Sequence, residues 1–129
     1  MPVERQTEYE TIYIVRPDAS EEDFETTKER VEKAIEDSGG HVLKFDDWGR
    51  RTLAYEIRDK TEGRKFERGI YYYYRFLAPS GTVAEVERQL RLLDSVLKFL
   101  TVKLDDDLVP AERLARPEEE EEEVVVPTT

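Results

Sequence analysis

Strand, helix and strand follow one another twice in this chain, and that tandem order restricts its fold more than any other feature. The segment from Tyr9 to Val15 is dense in β-branched and aromatic residues and reads as a strand. Arg16-Pro17-Asp18 ends it, because proline cannot donate to a ladder. Ser20 is placed as an N-cap, with Glu21, Glu22 and Asp23 in the first turn, where carboxylates complement the helix dipole. Phe24, Thr27, Val31, Ala34, Ile35 and Ser38 recur at three- and four-residue spacing, which predicts one helix with a narrow apolar stripe. Gly39-Gly40 stops it. His41 to Trp48 is a second strand, and Leu53 to Ile57 either continues it past a kink at Gly49 or stands as a separate piece. The polar, glycine-containing run from Asp59 to Gly69 reads as a long exposed hairpin loop. Ile70 to Leu77 is the third strand, broken by Pro79-Ser80-Gly81. Thr82 and Glu85 have the spacing of a capping box for a second helix, whose one face carries Val83, Val86, Leu90 and Leu93. Asp94-Ser95 turns the chain into a last strand from Val96 to Leu104.

The resulting order is β-α-β-β-α-β, an α+β arrangement. Two right-handed crossovers of this kind interleave into a four-stranded antiparallel sheet with both helices on one face. The other face is then uncovered, and alternate strand residues should be polar. They are not. Thr11 to Val15 and Ile70 to Tyr74 show no polar alternation, so apolar and aromatic side chains point away from the helices. A contiguous patch of that kind predicts a binding surface.

The 129 residues suit one domain, expected over residues 1–108, and the 38% hydrophobic content supports one modest core. After Pro110 the pattern fades, and the six glutamates from Glu118 to Glu123 predict a disordered acidic tail over 109–129. Cysteine is absent, which excludes disulfides and thiolate metal sites and fits a reducing compartment. No stretch approaches the ~20 apolar residues of a membrane span, and the N-terminus lacks the apolar core of a secretion signal, so a cytoplasmic protein is expected. The net charge of −11 opposes nucleic acid as a partner, but it is unevenly spread. Gly49 to Arg75 holds eight basic residues against four acidic ones. Long-range attraction would not draw such a molecule to a polyanion, so a basic helper is implied.

No catalytic constellation emerges. His41 is the single histidine, has no nucleophile to serve, and reads as a strand-end residue. Asp46-Asp47 and Asp105-Asp106-Asp107 lack the alternating spacing and glycine of a calcium loop, so they read as solvated turn carboxylates. No phosphate-cradling glycine loop appears. The chain is expected to be no enzyme and to need no cofactor, metal or small-molecule substrate. Its distinctive segment runs from Trp48 to Ile57. Gly49 permits a sharp bend, Arg50 and Arg51 offer planar multi-donor heads for phosphate, and Trp48 and Tyr55 offer stacking faces. From physics alone, a bulged strand with a solvated basic edge is the favoured explanation of these residues, since paired arginines beside a strand are common.

The segment Trp48-Gly49-Arg50-Arg51-Thr52-Leu53-Ala54-Tyr55-Glu56-Ile57 resembles the signature of bacterial small-subunit ribosomal protein six. So do Tyr9-Glu10 with Pro17, and Glu87 to Asp94 leading into Val96 and Val102-Lys103. The resemblance spans about Tyr9 to Lys103. It implies a ferredoxin-like fold and a heterodimer with the small basic ribosomal protein eighteen. It further implies that the pair binds the central domain of small-subunit ribosomal RNA in the cytoplasm. On this reading Arg50, Arg51, Arg58 and Lys103 are the RNA-binding candidates. Trp48, Leu53, Tyr55 and Tyr9 are the partner-binding candidates, Tyr55 lying within a strand where it serves stability or association. Thr52, Glu56 and Thr7-Glu8 depart from the family's usual residues, and the loop from Asp59 to Arg68 looks longer.

Two other classes share the strand order. A free-standing RNA-recognition-motif protein also stacks bases on an open sheet, and Gly69 to Tyr74 is similar to its third-strand motif, although the acidity is wrong for solitary binding. A small regulatory or metabolite-binding module that dimerises through its sheet is the other.

Overall fold

A computed structural model of the chain describes residues 4–116. Its elements run β1 (Gln6–Val15), α1 (Glu21–Asp37), β2 (His41–Arg58), β3 (Lys65–Ala78), α2 (Thr82–Leu92), β4 (Val96–Leu108) and a short α3 (Pro110–Leu114). The strands form one sheet in the order β2-β3-β1-β4, each neighbouring pair antiparallel. Both long helices pack on one face: Val31, Ala34 and Ile35 from α1 and Val86 and Leu90 from α2 share a core with Tyr13, Val15, Tyr72, Tyr74 and Phe76. This is the expected ferredoxin-like α+β layout. Strand alternation places Ile14 and Tyr71 on the opposite face, where they form a second, smaller cluster with Leu53, flanked by Ile12, Trp48, Ile57 and Leu97. Among the described residues no helix is long and apolar enough to cross a membrane.

The start of α1 follows its sequence. Ser20 Oγ accepts from the Asp23 amide at 3.0 Å, and the Ser20 amide donates to Asp23 Oδ2 at 3.2 Å, a closed capping box. At its far end Gly39 takes φ +88° and Gly40 is pressed so closely that an added Cβ would lie 2.7 Å from the Leu77 carbonyl oxygen. The expected box at α2 does not form. Gly81 is the N-cap without a side-chain bond, and Thr82 lies inside the helix, where its hydroxyl donates to Ser38 Oγ at 2.7 Å. Glu85 is taken instead by Arg88 and Gln89. Tertiary contact with the end of α1 outbids local capping there.

The strands also outrun their sequence pattern. β2 is continuous from His41 to Arg58, bent by irregularities at Val42/Lys44, Asp47/Gly49 and Thr52/Ile57. The long loop expected from Asp59 to Gly69 is short, because Lys65 to Gly69 already belongs to β3 and pairs with β2. Asp59 closes the remaining turn: its Oδ1 accepts the amides of Glu62 and Gly63, both at 2.8 Å. β4 runs on to Leu108, and α3 follows it, with Arg113 bound to the buried Glu8 carboxylate. The glutamate run expected to be disordered lies outside the described residues.

Candidate functional site

β1 pairs with β3 only from Ile70 onward, so β2 and β3 continue past the end of β1 as a two-stranded arm. The arm carries Arg50, Arg51, Arg58, Lys60, Arg64, Lys65 and Arg68. Its tip is tied back to the body. Lys60 Nζ donates to the carbonyls of Leu90 (3.2 Å), Arg91 (2.8 Å) and Leu93 (3.0 Å), a cation at the negative end of α2. Burial draws the Lys60 pKa down, against the pull of Asp94. Arg64 reaches Asp18 at 3.1 Å, and the Arg16 guanidinium lies 3.7 Å from Asp59. Hydrogen bonds from the Glu62 amide and its neighbours hold the Asp59 carboxyl below the usual range, with Arg16 adding to them.

Where the arm leaves the sheet, Gly49 adopts φ +79° in a bulge, its amide donating to Asp47 Oδ1 at 2.8 Å. The two residues that follow diverge, as strand alternation requires. Arg50 donates to the Pro17 carbonyl at 3.2 Å. Arg51 lies over the Trp48 ring at 5.9 Å on the open face and donates to the Trp48 carbonyl. Trp48 in turn stacks on Tyr73 at 4.8 Å. The Tyr73 hydroxyl donates to Glu10 at 2.8 Å and accepts from Arg75 Nε at 3.2 Å, and Arg75 stands 3.8 Å from Glu8. Burial, reinforced by Glu10, pushes the Tyr73 hydroxyl up to about 12. A continuous row of guanidinium, ring and carboxylate therefore crosses the open face.

The candidate residues fall into separate places. Arg50, Arg51 and Arg58 lie along the β2 edge. Lys103 lies on β4, the opposite edge, level with Tyr9 and Val42, and is paired with Asp106 at 3.3 Å. Strand geometry separates it from Arg50 by roughly 25 Å. Trp48 and Leu53 sit together in the open-face cluster. Tyr9 is on the helix side, against Phe76 at 5.5 Å. Tyr55 belongs to neither group: it lies within β2, as expected, but is 69% exposed on the arm. Tyr71 and Tyr73 are site residues that the sequence leaves unassigned, since only register tells which tyrosines of the run Tyr71 to Tyr74 face outward.

Among the described residues no three metal-ligating side chains converge, and His41 stands exposed at the start of β2. An open aromatic sheet face beside a basic arm marks this protein of the α+β class. Residues 8–103 match the family described as Ribosomal protein S6. The small ribosomal subunit protein bS6 of Geotalea daltonii is 40% identical over 116 residues, 90% of this chain and 86% of that protein. Its counterpart in Trichlorobacter lovleyi is 44% identical over 99 residues, 77% of this chain and 76% of that one. The crystal structure of 30S ribosomal protein S6 from Thermotoga maritima superposes with a TM-score of 0.66 at 30% identity, over 78% of this chain and 89% of that one. The C-terminal domain of the Mycobacterium tuberculosis MgtC protein shares the fold alone, with a TM-score of 0.51 at 13% identity. The chain belongs to the ribosomal protein S6 family of the small subunit, and it is not an enzyme.

Proposed function

We propose that the chain binds the central domain of small-subunit ribosomal RNA as a heterodimer with the small basic ribosomal protein eighteen. The observation that carries this reading is the adjacency of two surfaces in a molecule of net charge −11: the open-face cluster of Trp48, Leu53, Ile14 and Tyr71, and the basic arm beside it. The acidic body gains little from counterion release by itself, whereas a basic partner on the open face adds phosphate contacts. Arg50, Arg51 and Arg58 serve the RNA, and Trp48 and Leu53 serve the partner. Lys103 makes a separate, weaker contact, since Asp106 already holds it. Tyr9 supports the sheet from the helix side. The binding unit is residues 1–108, with 109–129 an acidic extension to it.

Affinity for a central-domain RNA fragment, measured with and without the partner at several salt concentrations, tests this. The isolated chain should bind weakly at physiological salt and the mixture tightly. Changing Arg50 and Arg51 together to alanine should weaken the mixture and flatten its salt dependence. Nanomolar binding by the isolated chain would overturn the need for a partner, and an unchanged salt slope in the double variant would remove the arm as the RNA site.

A further inference from the structure

The arm contains a feature that neither pairing nor packing explains. Thr52 pairs with Arg68 and Ile57 with Phe66, five steps along β2 against two along β3, so three residues are in excess. The excess is spent on Ala54, Tyr55 and Glu56, all exposed. Tyr55 makes no hydrogen bond, ring contact or ion pair with the described residues, and every other tyrosine of the chain is buried or half-buried. Three cations stand near it. Arg58 and Lys65 face one another across the ladder just beyond it, and Arg68 stands exposed opposite Thr52 without an ion pair among the described residues. Glu56, 3.7 Å from Lys65, and Glu67, exposed on β3 between Phe66 and Arg68, oppose them, which leaves three cations against two carboxylates. The mounting is rigid, because Lys60 fastens the tip to α2 and Arg64 fastens it to Asp18.

We propose that Tyr55 is a stacking platform for an unpaired nucleobase of the bound RNA, an inference that rests on the RNA-binding reading above. An aromatic ring held out of the core among charged side chains, with cations in excess, has little to offer an apolar protein surface. It matches a base, whose π-face stacks on the ring while its phosphates meet the neighbouring side chains. Ala54 beside it leaves room for a base, and the anchored tip means little is lost in ordering the ring on binding.

The test uses the full chain with its partner and two probes: a central-domain RNA fragment that keeps its unpaired loops, and a fully paired duplex of the same length. Tyr55→Ala should bind the looped fragment roughly 10-fold more weakly, the scale of one base-aromatic stack. Its salt slope, its melting temperature and its duplex affinity should stay as in the parent. Tyr55→Phe, which keeps the ring, should bind like the parent. Equal affinities of the alanine variant and the parent for the looped fragment would overturn the proposal. So would a phenylalanine variant as weak as the alanine one, which would assign the effect to the hydroxyl. Loss of partner association by Tyr55→Ala without RNA would make it a protein contact instead. If the parent mixture binds and the Arg50/Arg51 variant is impaired while Tyr55→Ala is not, this proposal alone fails. If the parent mixture does not bind the fragment, the RNA reading falls and takes this one with it.

Discussion

The Tyr74 hydroxyl donates to Glu32 Oε2 at 2.6 Å, joining the middle of β3 to α1 beneath the helix layer. Tyr74 is fully buried, and Glu32 also takes the Lys28 ammonium one turn away. The bond therefore fixes how α1 lies across the sheet at a point where apolar packing alone would let it slide. Burial pulls the Glu32 pKa up, but the hydrogen bonds from Lys28 and Tyr74 outweigh it and the net movement is down. Tyr74→Phe keeps the ring and deletes the bond. It should cost about 1–2 kcal/mol in urea unfolding, and the Glu32 pKa should rise in a titration followed by NMR.

Acid should unfold the protein partly through Glu32 and Asp59, whose folded pKa values are both lowered. A carboxylate of this kind stabilises the fold above its unfolded pKa, about 4, and the contribution disappears as pH falls through the folded value. Melting temperature should therefore fall steeply below about pH 4. Asp59→Asn keeps an acceptor for the Glu62 and Gly63 amides but gives up the charge facing Arg16. It should be less stable at pH 7 and show a shallower acid limb between about pH 2 and 5. An acid limb as steep as the parent's would show that Asp59 does not contribute.

Leu90 lies at the centre of the buried face of α2 with no exposed surface. Leu90→Ala should cost roughly 2–5 kcal/mol, because the surrounding rings of the core are too rigid to refill the space. A loss below about half a kcal/mol in denaturant melts would mean the face can collapse.

Arg113 is the link between α3 and the sheet. Glu8, nearly buried on β1, has Arg113 and Arg75 as its cations. Removing one leaves a buried carboxylate half-compensated, so Arg113→Ala should destabilise the protein by about 1–3 kcal/mol. Arg113→Lys should recover only part of that, since an ammonium lacks the planar fork. Glu8→Gln in the Arg113→Ala background should restore much of the loss, and absence of that rescue would locate the cost elsewhere.

Local rules account for much of what was legible. The Phe24 to Ile35 spacing marks α1, and Ser20 with its acidic first turn marks where it starts, because caps and periodicity act within one or two turns of chain. The same rules misplace the cap of α2, where Thr82 is held by Ser38, a residue 44 positions away. Lys65 to Gly69 reads as loop because Lys65, Glu67 and Arg68 are charged and Phe66 is its one buried large side chain, although Lys65, Phe66, Arg68 and Gly69 pair with β2. Arg50 and Lys103 look equivalent as isolated cations. Strand order puts them on opposite edges, one on the arm and one bound to Asp106.

The sequence by itself determined the β-α-β-β-α-β order, the helix stripes and the concentration of positive charge between Gly49 and Arg75, since each is a property of composition or of spacing along the chain. The tertiary structure decided which tyrosines face outward, where the arm leaves the sheet and which cations share a surface. Those are matters of register. A shift of one residue in strand pairing exchanges the two faces of a strand, and the three extra residues that expose Tyr55 exist only relative to the partner strand.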